Sequence, residues 1–294
     1  MKPLGLALMA LLAEFVGPPS QEGAAAPAGE LVTFRHANGA RAREGRIVHG
    51  RREGVWRSWY ANGALAYEGE YHAYHRVGHW VYWKENGKKA TEGDWKDGYR
   101  TGTWILYGED GEKSTEGVFE KGVRNGAWIS YQGGVKFREG RYVNGVKQGA
   151  WIQYAADGTK LSEGPYVDGK QEGVFTRWHA NGQKEFEGRF ARDKENGAWT
   201  RWHPNGEVAA QGGYQDGRMQ GEWTGWYDDG QRQYRGVFGA GKEQGAWTFW
   251  HPSGAKRAEG TYVDGLREGD WKDWLDDGSP DVERSGRYVL GRKP

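Results

Sequence analysis

Glycine and aromatic residues recur along this chain with a fixed period, and polar residues fill the intervals. Stepping from Gly45, equivalent glycines fall at Gly69, Gly93, Gly117, Gly140, Gly164, Gly188, Gly212, Gly236 and Gly260. The step is 24 residues, shortened to 23 after Gly117 and lengthened to 26 after Gly260, where it reaches Gly286. Such self-similarity is the signature of a repeat architecture and takes precedence over any residue-level reading.

Let the first glycine of each unit be position 0. Position 2 is aromatic in nine of the ten units, from Tyr71 and Trp95 to Tyr262, with Ile47 the exception. Position 9 is always glycine, and position 11 is Trp in nine units and Phe175 in the other. Position 14 is always aromatic: Trp59, Trp83, Tyr107, Tyr131, Tyr154, Trp178, Trp202, Trp226, Trp250 and Trp274. A Glu usually closes the unit, as in Glu68, Glu92 and Glu116.

Each unit carries two turn signals. One lies at positions 4 and 5, as in Asp97-Gly98 and Asn144-Gly145; the other at 17 and 18, as in Asn62-Gly63 and Asn205-Gly206. Such dipeptides supply the positive φ angles of two-residue type I′ hairpins. The pattern therefore predicts an all-β fold: an elongated antiparallel β-meander of about ten hairpin repeats in a single twisted sheet. A two-residue loop at 4 and 5 pairs positions whose numbers sum to nine, which sets Gly 0 opposite Gly 9. The second turn sets Trp 11 opposite the next unit's Gly 0, where its ring would lie. Positions 2 and 11 share one face by the period of two, and position 14 projects from the other. Neither face has a helix layer to cover it, so each unit depends on its neighbours and the terminal half-units serve as caps or fray.

Composition fits a thin ribbon better than a globule. The 294 residues include 50 Gly and 17 Trp, with Leu, Ile and Val sparse beyond the first 30. Charge is balanced, 41 Lys+Arg against 40 Asp+Glu, so no single-sign field draws nucleic acid, and none is expected as a partner. Cysteine is absent, which excludes disulfides, thiolate metal sites and a cysteine nucleophile.

The first residues read differently. Lys2 precedes an apolar run from Leu4 to Ala13, of signal-peptide length and too short to span a bilayer. Ala26-Pro27-Ala28 has the small-x-small form of a cleavage site. Residues 1–29 are read as a signal peptide and linker, 30–44 as an N-terminal half-repeat, 45–285 as ten tandem repeats, and 286–294 as a C-terminal half-repeat. This points to a periplasmic or secreted protein. If residues 1–29 are instead an amphipathic tail, the protein is cytoplasmic.

Candidate chemistry is thin. His72, His75 and His79 cluster, but on a hairpin these spacings do not point one way. His179, His203 and His251 all occupy position 15, and adjacent units place two of them about 9.6 Å apart, too far to share a metal. No nucleophile elbow, phosphate loop, zincin or EF-hand motif appears, so no enzyme, cofactor or metal is expected. Exposed Trp and Tyr rows can anchor a partner protein or stack on sugar rings. The position-14 row is the candidate binding surface.

The string G-x-Y-x-x-G-x-x-x-G-x-W-x-x-Y/W-x-x-N/D-G resembles the bacterial variant of the MORN repeat, and Gly164 to Gly182 illustrates it, with Phe175 in place of the Trp. The resemblance spans roughly residues 34 to 291. It implies a scaffold for protein–protein interaction, and the Trp and Asn/Asp-Gly features resemble YwqK-type antitoxins of toxin–antitoxin systems, whose partner is a toxin. The alternative is an exported module that binds an envelope glycan or a membrane surface.

Overall fold

The computed structural model describes residues 29–293. The proposed signal segment lies outside them but for Gly29. Among the described residues there is no helix, and 69% are in strands. The strands form one long open antiparallel sheet of 23 strands, each hydrogen-bonded to the next in the chain except that Lys170–Gln171 and Gly173–Trp178 are two pieces that both pair with Lys160–Val167. It starts with Glu30–Arg35 and ends with Gly286–Tyr288. Every unit gives a strand on each side of its first turn, as in Lys256–Val263 and Leu266–Asp273. The expected meander is the observed one.

The first turn is of the expected type. At positions 4 and 5 both residues have positive φ, for example Asp97 at 51° and Gly98 at 80°. The geometry persists where glycine is missing: Tyr74 holds φ 75° and Asp193 φ 68°.

The second turn differs from the expectation. Only its glycine has positive φ, as at Gly63, and the Asn before it does not. Tyr60 N–H donates to Ala64 O and Gly63 N–H to Tyr60 O, which closes a three-residue loop. This is a type I turn ended by a left-handed glycine. The Asn has a different task. Asn62 Oδ1 accepts the Ala64 N–H at 2.9 Å, while its Nδ2 donates to Glu85 O in the next unit's loop. The 23-residue unit shows the contrast: its loop is Gly133-Gly134, both at positive φ, joining Gln132 directly to Val135. The deleted residue converts a three-residue loop into a two-residue one.

The register of the first hairpin also departs from the sum-of-nine rule. Positions 2 and 7 pair as expected, as do 1 and 8, in Tyr262↔Arg267 and Thr261↔Glu268. Position 0 then pairs with position 11, not 9, as in Gly117↔Trp128 and Gly188↔Trp199. Positions 9 and 10 form a two-residue bulge. Gly 9 is needed there for its backbone, with φ of 67° at Gly54 and 76° at Gly197. It leaves room for no ring.

The ring lies over its own unit's Gly 0. A Cβ built on Gly212 would sit 2.1 Å from the Trp223 ring, and one on Gly69 2.1 Å from Trp80. Gly 0 thus pairs with two tryptophans, its own and the previous unit's, but bears only its own. Eight of the nine position-11 indoles donate Nε1–H to the position-1 carbonyl of their own unit, such as Trp104 to Asp94 O at 3.1 Å. Phe175 cannot donate, and in that unit the Pro165 carbonyl accepts the Glu172 backbone N–H at 3.0 Å.

Candidate binding surfaces

The two faces of the sheet are built from different chemistry. On the first, position-11 and position-2 rings alternate edge to face along the ribbon. Trp128–Tyr142–Trp151–Tyr166–Phe175–Phe190–Trp199 is one continuous run, with centroids 5.1–6.2 Å apart. Such pairs add to the burial of the rings themselves. Trp80 and Trp104 are fully buried although no second layer covers the sheet. The neighbouring rings and the side chains above them do the covering.

Those covering groups are at position 7, which the sequence reading did not single out. Arg52 lies 4.6 Å from the Trp56 centroid, Arg76 5.0 Å from Trp80, Arg100 4.3 Å from Trp104, Arg124 4.5 Å from Trp128 and Lys147 4.6 Å from Trp151. From Gly164 on, the position carries Gln171, Glu195, Met219 and Glu243, until Arg267 restores the cation over Trp271. Arg267 also makes a two-pronged pair with the buried Asp273, whose N–H is met by Ser285 Oγ. This pair closes the last unit.

The opposite face carries position 14. All ten candidate residues, Trp59 through Trp274, lie there as the parity argument required, and all are half-buried. Seven of them lie under a cation, and the middle ones sit in a polar lattice. Tyr107, Tyr131 and Tyr154 donate their hydroxyls to Glu92, Glu116 and Glu139. The same carboxylates hold Lys89, Lys113 and Lys136 at 2.7–2.8 Å. These ammonium groups in turn lie over the tyrosine rings, 5.5–5.9 Å from the centroids. Lys160 and Lys184 lie likewise over Trp178 and Trp202, each paired with its own Glu. The recurring Lys-x-x-Glu-Gly string carries this lattice and could have revealed it.

Ionisation follows from the contacts. Burial, then the hydrogen bond to the carboxylate, pushes the phenols of Tyr107, Tyr131 and Tyr154 up to about 12. Burial alone would raise Glu92, Glu116 and Glu139, but the Lys and Tyr hydrogen bonds outweigh it and hold them below the ordinary carboxylate value.

The two turn edges stitch unit to unit. His179, His203 and His251 do align along one edge, and each donates Nε2–H to the next unit's position-14 carbonyl at 2.9 Å. Tyr60 and Tyr227 do the same with their hydroxyls. At the other edge a position-8 carboxylate or amide accepts the next unit's position-4 N–H, as Glu53 does from Ala73. The clustered histidines diverge: His72 meets Glu53 and His79 meets Asp94. Among the described residues no group of side chains is arranged to hold a metal ion.

A groove interrupts the ring face where Phe175 replaces Trp and the strand breaks between Gln171 and Gly173. Arg138, Lys147, Trp151, Gln153, Tyr166 and Arg177 are among its lining residues. Trp151 is also the one position-11 indole without a hydrogen-bond partner among the described residues.

No curated protein matches the chain. Among solved structures it is similar to one of TcdB2-TccC3-TEV, at 10% identity, covering 82% of this chain and 16% of that one with a TM-score of 0.19. A second, of TcdB2-TccC3 without its hypervariable C-terminal region, gives 9% identity, 88% and 17% coverage and 0.20. At these scores neither bears on fold or function. The model of the MORN repeat variant matches residues 52–73, 171–191 and 195–216. Each match begins at position 7 and runs through the ring at 11, the second turn and the next unit's aromatic at 2. The chain therefore carries MORN repeat variants at three places within its array of like units.

Proposed function

We propose that this protein is a non-enzymatic scaffold that binds other proteins along its sheet. The observation that carries the reading is the use of side chains on both faces: rings, glycines, Lys–Glu pairs and loop-edge donors are all engaged within the array itself. What the array leaves for function is a long, regular surface, not an enclosed site that could strip water from a reacting group. The glycan alternative has less support, because the position-14 rings are half-buried and many already have a cation over one face.

The most specific form of the proposal is an antitoxin that holds a toxin, and it rests on the likeness of the repeats alone. Export of the chain is part of the proposal and rests on the composition of residues 1–29. Co-expression with the product of the adjacent gene tests the antitoxin form: rescue of growth and a stable complex on gel filtration are expected. Failure of both removes the antitoxin and leaves the scaffold. An activity that disappears when Lys147 and Arg177 are neutralised would overturn the non-enzymatic reading.

A further inference from the structure

Cations on the two faces are treated differently. On the position-14 face each recurring Lys is matched by the Glu three residues on, from Lys89–Glu92 to Lys256–Glu259. On the ring face Arg52, Arg76, Arg100, Arg124 and Lys147 meet only aromatic rings and the hydroxyls of Tyr71 and Tyr142, and among the described residues none has a carboxylate within salt-bridge distance. The positions sharing that face from Arg43 to Arg177 contain no Asp or Glu. Balanced net charge thus conceals a one-sided cationic row on the N-terminal half.

We infer that this row is a docking groove for an extended acidic peptide in the polyproline II conformation, with a carboxylate at every third residue. The inference rests on the scaffold reading and names the chemistry of the partner. Spacing is the first argument. Successive position-7 side chains are two strands apart, about 9.6 Å. A polyproline II helix repeats every three residues at 3.1 Å each, about 9.3 Å, close enough to offer one carboxylate to each flexible cation of the row. A β-strand repeats its same-side residues at about 6.8 Å and falls out of step at once.

Shape is the second argument. Adjacent strands rotate by roughly 20–25°, so each unit turns the row by about 45°. Five cations therefore fan through roughly half a turn. A flat membrane would meet only a few of them, whereas a peptide can follow the twist. Nucleic acid would seek open ring faces for stacking, and these rings are buried beneath their cations. A shallow groove bounded by Arg52, Tyr71, Tyr74, Arg76 and Trp95 marks where such a peptide would begin. The C-terminal half, with Gln171, Glu195, Met219 and Glu243 at the same position, is an internal control.

The test uses the full chain and a fluorescent peptide of repeated Glu-Pro-Pro, read by anisotropy at low salt. Two controls are a peptide of the same composition with its Glu residues clustered at one end, and a single-stranded oligonucleotide. The triple variant Arg76→Gln, Arg100→Gln, Arg124→Gln should weaken peptide binding about tenfold or more, and the corresponding Lys variant should largely retain it. Glu195→Gln with Glu243→Gln should leave affinity unchanged. If the triple variant loses its circular dichroism spectrum, the exposed Arg124→Glu alone must still weaken binding several-fold. Equal affinity for the spaced and clustered peptides, tighter binding of the oligonucleotide, or a folded triple variant with unchanged affinity each overturns the inference. Loss of peptide binding while a toxin complex still forms removes this groove but not the scaffold.

Discussion

The two faces of this sheet solve one problem with different forces. A single layer has no partner to bury its rings against. The position-11 face answers with shape: glycine lets an indole lie flat on the backbone, and the neighbouring rings close over it. The position-14 face answers with charge: Tyr107, Tyr131 and Tyr154 are held by an ammonium over the ring and a carboxylate on the hydroxyl, and the tryptophans are left half-open. The first solution is dry and rigid, and intolerant of volume change. The second is wet, tunable by pH and salt, and worth far less per contact. The same backbone supports both because side chains alternate between faces.

The largest effect should come from removing a ring of the first kind. Trp104→Ala, at a fully buried position, is expected to cost about 3–5 kcal/mol and to expose the flanking units, read by chemical denaturation and hydrogen exchange. A matching Trp202→Ala on the other face should cost clearly less; equal costs would abolish the contrast between the faces.

Next comes the glycine beneath the ring. Gly212→Ala drives a Cβ into Trp223 and should cost about 1–3 kcal/mol from overpacking. Gly63→Ala meets no atom and suffers only its positive φ, about 1–2 kcal/mol. The two are separated by pairing Gly212→Ala with Trp223→Leu. Relief of the Gly212 penalty is expected, while Gly63→Ala should be indifferent to it.

Alkali should act most on the charged face, although burial also raises the phenols of Tyr82 and Tyr234 on the ring face. Tyr107, Tyr131 and Tyr154 hold their protons more tightly folded than unfolded, with pKa values near 12 against an ordinary 10. Their contribution is complete below pH 10 and is lost as pH rises toward 12. Glu92, Glu116 and Glu139 act with the opposite sign, contributing above their ordinary value of 4.5 and losing that contribution as pH falls. Tyrosinate absorbance during alkaline titration should therefore show a late-ionising group, and Tyr131→Phe should reduce its amplitude. Titration of every tyrosine at the ordinary value would contradict the lattice.

The smallest effect belongs to a single ion pair. Lys113→Met should change stability by no more than about 1 kcal/mol, and salt should shrink the difference further, because the pair is partly exposed.

Much of this was legible in the residues. The repeat, the type I′ turns at positions 4 and 5, and the assignment of Trp 11 and position 14 to opposite faces all follow from spacing and alternation. The face assignment held even though the register behind it did not. Positions 9 and 10 bulge as a pair, and a shift of two residues preserves the alternation that a shift of one would reverse. Gly 9, which the sum-of-nine register sets opposite Gly 0, serves instead as a positive-φ hinge. Asn-Gly at 17 and 18 was read as a two-residue turn, yet only Gly133-Gly134 makes one. A dipeptide cannot report the length of its own loop, because Asn is equally at home bonding its side chain across the turn. The cationic row escaped notice because a count of charges does not say on which face they stand.

By itself, the sequence determined the number of units, the handed turns and the alternation of faces, since these depend only on local φ preferences and a period of two. Only the tertiary structure decided which glycine bears which ring, where the strands bulge, and how each Lys, Glu and aromatic residue meets its neighbour. Those outcomes depend on contacts between strands, and the distances across a bulged pair are not written in the spacing of either strand alone.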